Sequence, residues 1–283
     1  MSLLPVAGAA LPGLLRLATG AYVLQHAARR RRMHRRLHRS DAAAFAPVGP
    51  VRVLRRPLPP RAADVLFDAS LVSGALMTAG VAHRVVGPIH AALLTWVYAY
   101  RNSFSMVYHH ENPFVLHTMV LGLAPAADAL SVDALRRDGT LLPPRRSWMY
   151  GATPLLMNAV SGATYAISGA AKLAAAGPAW AGGEHMRSQV AADALRKEML
   201  GERETRLGRA LYPYPQVFAV LAAGSLVLEL AAPLAVLDHR CARAIAVGAY
   251  GMHVGIRLVM GITFPYQLSG VMFLPMLLSP ARR

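Results

Sequence analysis

Apolar stretches long enough to cross a bilayer recur along this chain, and they constrain its fold more than any motif does. They fall at roughly 5–25, 62–82, 86–108, 114–130, 149–173, 215–237, 243–261 and 264–279, and a span needs about 20 mainly apolar residues. The 283 residues are 55% hydrophobic and 16% charged, with a mean hydropathy of +0.36. Soluble domains carry about a quarter charged residues, so a soluble core does not need this much apolar sequence. Lipid offers no partners to backbone polar groups, and no barrel-like alternation is present, which leaves helices. The expected fold is all-α: a polytopic helical bundle of roughly 6–8 hydrophobic segments, multi-pass in the cell membrane, with no large soluble domain.

The formal charge of +16 follows from 30 basic and 14 acidic residues. In a membrane chain it reads as loops facing anionic lipid headgroups rather than as a nucleic-acid surface. The run RRRRMHRRLHR at residues 29–39 is the densest such patch, and the positive-inside rule places it in the cytoplasm. Residues 1–60, with this arm and a Pro/Arg linker, read as an N-terminal segment before a transmembrane domain at 61–283. The N-terminus lacks the basic start of a secretory signal and is expected to be retained. The single cysteine, Cys241, excludes an intrachain disulfide.

Lysine is nearly absent. Only Lys172 and Lys197 are Lys, which leaves 28 of the 30 basic residues as Arg. Lys172 ends an apolar helix in which Asn158, Ser161, Tyr165, Ser168 and Lys172 are spaced by three and four residues, so all five share one face. Such a face should look into the bundle or a wet cavity. Arg snorkels to headgroups as well as Lys does, so a retained Lys suggests proton transfer, with anchoring at the interface as the alternative.

Two further constellations carry polar groups into apolar sequence. His109, His110, Glu111 and Asn112 precede the run containing His117, with His110 and His117 seven apart and read as one helix face. No third ligand follows at metal spacing, so no metal is expected, and His110 or Asn112 is read as a hydrogen-bonding group. In GMHVGIRLVMG, Arg257 lies within an apolar stretch, and Glu229 of LVLELAAPLAVL is its expected structural partner.

Three pieces in this order, the His/Asn turn before the fourth apolar run, SVDAL (131–135), and YAISGAAKL followed by Trp180-x-x-Gly183, resemble the horizontally transferred transmembrane family. That is the group of the vitamin K-dependent γ-glutamyl carboxylases. The similarity covers roughly 60–280. It implies that Lys172 and His110 are catalytic, acting on a reduced naphthoquinone of vitamin K or menaquinol type. Oxygen, and carbon dioxide if carboxylation occurs, would be co-substrates. Asn158, Tyr165, Ser168 and Asn112 are the candidate cofactor-binding residues beside them.

The resemblance has limits: no counterpart of the carboxylases' large lumenal β-rich region follows, and their patterns lack the basic arm. The implied activity is therefore quinol deprotonation coupled to oxidation, epoxidation or carboxylation of a peptide or small molecule. The alternative is a non-enzymatic maturation or immunity partner, or a small transporter, reusing the fold.

Overall fold

The computed structural model describes residues 4–104 and 106–281; Met1–Leu3, Ser105 and Arg282–Arg283 lie outside the described residues. The chain is all-helical, with 75% of it in helix. In chain order the helices are α1 (Ala10–Arg29), α2 (Arg31–Leu37), α3 (Pro60–Ala79), α4 (His83–Asn102), α5 (Asn112–Leu123), α6 (Val132–Asp138), α7 (Trp148–Ala176), α8 (Glu184–Met199), α9 (Arg206–Leu211), α10 (Pro215–Ala231), α11 (His239–Met260), α12 (Pro265–Leu268) and α13 (Leu274–Leu277). Among the described residues the one strand pairing is a two-residue antiparallel ladder, Ala7–Gly8 against Arg146–Ser147.

Two helices, Pro60–Ala79 and Pro215–Val236, are long and apolar enough to cross a membrane. Six to eight spans are therefore more than the helices themselves show, and local breakers account for part of the difference. The stretch at 114–130 supplies only the 12-residue α5, about 18 Å long. It stops because Ala124 precedes Pro125 and is held extended, with ψ at 160°. The stretch at 264–279 breaks into α12, a 3₁₀ turn at Val271–Phe273 and α13, with Gly270 in the left-handed region at φ 76°.

The described residues form two compact units, one ending at Met157 and the other running from Asn158 to Ala281, and the boundary falls within α7. In the first unit α3 packs on α4, α4 on α5, and α1 on both α3 and α5. Through α1, residues before 61 join this bundle. Helices α4 and α5 approach through glycines: a Cβ on Gly122 would lie 2.6 Å from the Gly87 carbonyl oxygen.

Arg16 is fully buried in this unit and ties its loops together. Its guanidinium donates to the carbonyls of Ala126 at 2.9 Å, Met77 at 3.0 Å and Leu130 at 2.6 Å, and to that of Thr78. Two of these are end carbonyls of α3, which a helix cannot satisfy internally. SVDAL serves the same junction. Ser131 Oγ accepts from the Ala134 amide at 2.8 Å as the cap of α6. Asp133 accepts from the amides of Ala82 and His83 at 2.9 and 2.8 Å, at the start of α4.

The basic run is not a free arm. Arg31 and Arg35 each reach Asp68 at 3.0 Å, while His38 and Arg39 hold Asp64 at 2.7 Å, so α2 is docked on α3. Arg29, Arg32 and Arg36 stay exposed. His110 and His117 do not share a helix: His110 sits in a 3₁₀ turn (His109–Glu111), and α5 begins at Asn112. The ring of His117 is buried and donates through Nε2 to the Met157 carbonyl at 3.2 Å. Among the described residues, no three His, Cys, Asp or Glu groups cluster to hold a metal.

Candidate functional site

Lys172 lies near the C-terminal end of α7, and its ammonium donates to both carboxylate oxygens of Glu229 on α10, each at 2.7 Å. Glu229 is buried, and the Lys172 side chain is 23% exposed. The expected pairing of Glu229 with Arg257 is thus replaced. Arg257 is exposed on α11 and donates to Thr263 Oγ1 at 3.3 Å.

Small residues bring α7 to α10 at this point. Gly169, one turn before Lys172, packs so closely that a Cβ there would lie 3.2 Å from the Glu229 Cβ. Gly162 similarly sits against the chain at Ala232–Pro233, 3.0 Å from the Ala232 carbonyl oxygen by the same measure.

The pair is capped by an aromatic residue. The Trp180 ring lies 5.3 Å from Lys172 Nζ, within cation–π range, and stacks on His185 at 5.6 Å. Trp180 stands in a 3₁₀ turn (Gly177–Gly182) that ends at Gly183, whose φ is 81°. Gly183 packs directly on the backbone of Phe218 and Ala219, where a Cβ would not fit. The glycine of the Trp-x-x-Gly motif therefore fixes the loop that carries the tryptophan.

Lys172, Glu229 and Trp180 form the polar end of a cavity of about 590 Å3. Apart from Gln189 and Ser225 the rest of its wall is apolar, including Leu228, Met252 and Ile256, with Gly224, Gly248, Gly251 and Gly255 along α10 and α11. A Cβ added at Gly224, Gly251 or Gly255 would meet nothing within 4 Å, so these glycines keep the space open rather than allowing close helix contact. The buried indole nitrogen of Trp180 has no hydrogen-bond partner. An apolar volume of this size with a few convergent polar groups has the form of a small-molecule site.

Of the five-residue stripe, only Lys172 lines this cavity. Asn158 is fully buried and donates from Nδ2 to Ser279 Oγ at 2.7 Å, and Ser161 is buried as well. Tyr165 is buried, with its hydroxyl 2.8 Å from His253 Nε2. Ser168 is exposed, because the helix turns Gly169 inward instead. Asn158, Tyr165 and Ser168 therefore stand outside the lining of this cavity.

His110 and Asn112 belong to the first unit. His110 is half-buried, its ring edge-on to Tyr108 at 5.9 Å, and desolvation lowers its pKa below the ordinary histidine value. Asn112 is exposed at the start of α5. The buried member of that turn is Glu111, which is paired with His26 at 2.9 Å and with Arg101. Sequence reasoning passed over Glu229 and Trp180 as site residues, although the lone carboxylate in LVLELAAPLAVL and the Trp-x-x-Gly motif were both in view. Comparison with protein-family models, curated proteins and solved structures finds no match to this chain.

Proposed function

We propose that this chain is a multi-pass membrane protein that binds a lipophilic aromatic ligand of the reduced naphthoquinone class and takes a proton from it at the Lys172–Glu229 pair. The observation that carries the reading is an ion pair placed at the wall of an apolar cavity. Stability alone is a weak explanation for a partly buried charge pair, since an apolar pair of similar volume packs at least as well.

The residues fit such a ligand. Glycines along α10 and α11 leave room for a flat ring, and Trp180 stands on the same wall beside Lys172. A reduced quinone would supply an acidic phenol and, with oxygen, the oxidising power for oxidation, epoxidation or carboxylation of a second substrate. In this arrangement the Glu229 carboxylate is the proton acceptor, and the Lys172 ammonium stabilises the phenolate by a charge-assisted hydrogen bond. Lys172 thus acts with Glu229 rather than as a lone base.

The test is naphthoquinol binding and oxygen-dependent turnover in Glu229→Gln and Lys172→Ala. Glu229→Gln is expected to bind and not turn over, and Lys172→Ala to lose both. Full turnover by Glu229→Gln would remove the proton-acceptor role.

The second reading is a non-enzymatic membrane protein in which the pair locks α7 to α10. The two-oxygen geometry of the bridge favours it. It predicts that both variants lose thermal stability while no naphthoquinone copurifies with the parent.

A further inference from the structure

The second unit holds two open spaces with a much smaller one between them, a neck whose lining overlaps that of both. The larger is a groove of about 1140 Å3 along α8 and α9, lined by Glu198, Glu202, Arg203 and Arg206 together with Leu195 and Tyr212. The other is the Lys172 cavity. Between them, a space of only about 10 Å3 shares Val190, Ala194 and Gly208 with the groove, and Val259 and Met260 with the cavity. Room of that size holds at most about one water, so no solute passes while the neck keeps this shape.

Lys197, the second of the two lysines, closes it. Its ammonium donates to the Met260 carbonyl at 2.5 Å and lies 2.5 Å from Asp193 Oδ2. Gly261, at φ 71°, makes the room: a Cβ there would sit 2.8 Å from Lys197 Nζ. Thr205 Oγ1 donates to the neighbouring Val259 carbonyl at 2.5 Å and accepts from the Gly208 amide at 3.1 Å. Two side chains thereby hold end carbonyls of α11, at a point where Gly208 also packs on the Val259 carbonyl. A compact ammonium on a flexible stem releases such a contact by rotating away, and a planar guanidinium fork does so less readily.

The two spaces differ in chemistry. The cavity reaches the surface at Val220, which is 73% exposed, through an apolar wall. The groove presents Glu198, Glu202, Arg203 and Arg206 beside the ion-paired Arg209 and Glu204, so both charge signs face it. We propose that the groove docks a water-borne co-substrate carrying both charge signs, that Lys197 is the latch between this groove and the Lys172 cavity, and that the lipophilic ligand enters separately at the apolar mouth. This rests on the cavity being a ligand site and not on the chemistry assigned to Lys172.

The test uses the full-length chain in lipid nanodiscs, with Cys241→Ser removing the native thiol and Ser225→Cys placing one on the cavity wall. A charged thiosulfonate reports the water route, and N-ethylmaleimide the apolar one. Lys197→Met is expected to raise the thiosulfonate rate about tenfold, the population change from losing one hydrogen bond to a charged group. It should leave the maleimide rate unchanged. Lys197→Arg, which keeps a cationic donor, should stay near the parental thiosulfonate rate, and Ala194→Trp in the neck should cancel the gain of Lys197→Met. An unchanged thiosulfonate rate in Lys197→Met overturns the latch. So does an equal rise with both reagents, which would mean general loosening of the fold. Should Lys197→Met fail to fold, Thr205→Val makes the same measurement from the other tether. Labelling does not depend on turnover, so inactivity of Lys172 variants leaves the result intact.

Discussion

Lys172 and Glu229, 57 residues apart in sequence, meet through both carboxylate oxygens at 2.7 Å beneath the ring of Trp180. An ammonium held on two oxygens and against an aromatic face has little freedom, so its charge points at one place on the cavity wall. Lys172→Arg keeps the charge but replaces a compact head with a planar fork, which cannot reproduce the ammonium's placement on both Glu229 oxygens beneath Trp180. It is expected to lose quinol turnover as completely as Lys172→Ala does. Parental turnover by Lys172→Arg in an oxygen-consumption assay would show that charge alone suffices.

The glycine wall offers a test independent of the ion pair. Gly251→Leu puts a side chain into open cavity space, since a Cβ at Gly251 meets nothing within 4 Å. Its thermal midpoint should stay near the parental value while naphthoquinone affinity, read by tryptophan quenching, falls at least about tenfold through lost volume. Gly162→Ala is the opposite case, because its Cβ would stand 3.0 Å from a backbone carbonyl oxygen. That variant should lose about 1–3 kcal/mol of stability. Equal effects of the two on stability would mean that the wall is packed and not open.

Glu111 governs the acid stability of the first unit. Burial opposes its ionisation, but hydrogen bonds from His26 and Arg101 outweigh that and hold its pKa at about 2, down from 4.5. A carboxyl depressed on folding stabilises fully above its unfolded value. The contribution is then lost as pH falls from about 4.5 towards about 2. Glu111→Gln should flatten the acid limb of an unfolding titration. It should also cost about 3–5 kcal/mol near neutral pH, because Arg101 is left buried without its charge partner. An acid limb identical to the parent's would contradict this assignment.

The docked basic helix makes a prediction about lipid. Asp64 and Asp68 neutralise part of α2, and their pairs with Arg31, Arg35 and Arg39 are at the surface. Asp64→Asn with Asp68→Asn should cost little through the exposed arginine pairs, with the larger part of any loss coming from the contact of buried His38 with Asp64. The freed cations should strengthen binding of the detergent-solubilised protein to vesicles containing anionic lipid, and added salt should abolish the gain. Unchanged vesicle binding in the double variant would place α2 away from the headgroups.

Composition and the spacing of apolar residues determined that this chain is helical, because a run of apolar sequence without strand-like alternation has one way to satisfy its backbone. The rarity of lysine also pointed to Lys172, which does line a cavity. Neither could say where helices stop, since Pro125 and Gly270 end α5 and separate α12 from α13 while hydropathy stays high. Neither could choose the partner of Glu229. Arg257 and Lys172 were both eligible by composition, and the close packing of Gly162 and Gly169 brings α7, not the exposed face of α11, against that carboxylate. The inward direction of the 158–172 stripe was settled only in part by periodicity. A helix face is wider than one residue, so Gly169 took the buried position that Ser168 was expected to hold. Period and composition are local properties of a chain. Which groups end up within hydrogen-bonding reach depends on close packing between segments far apart in sequence, and that is decided only in three dimensions.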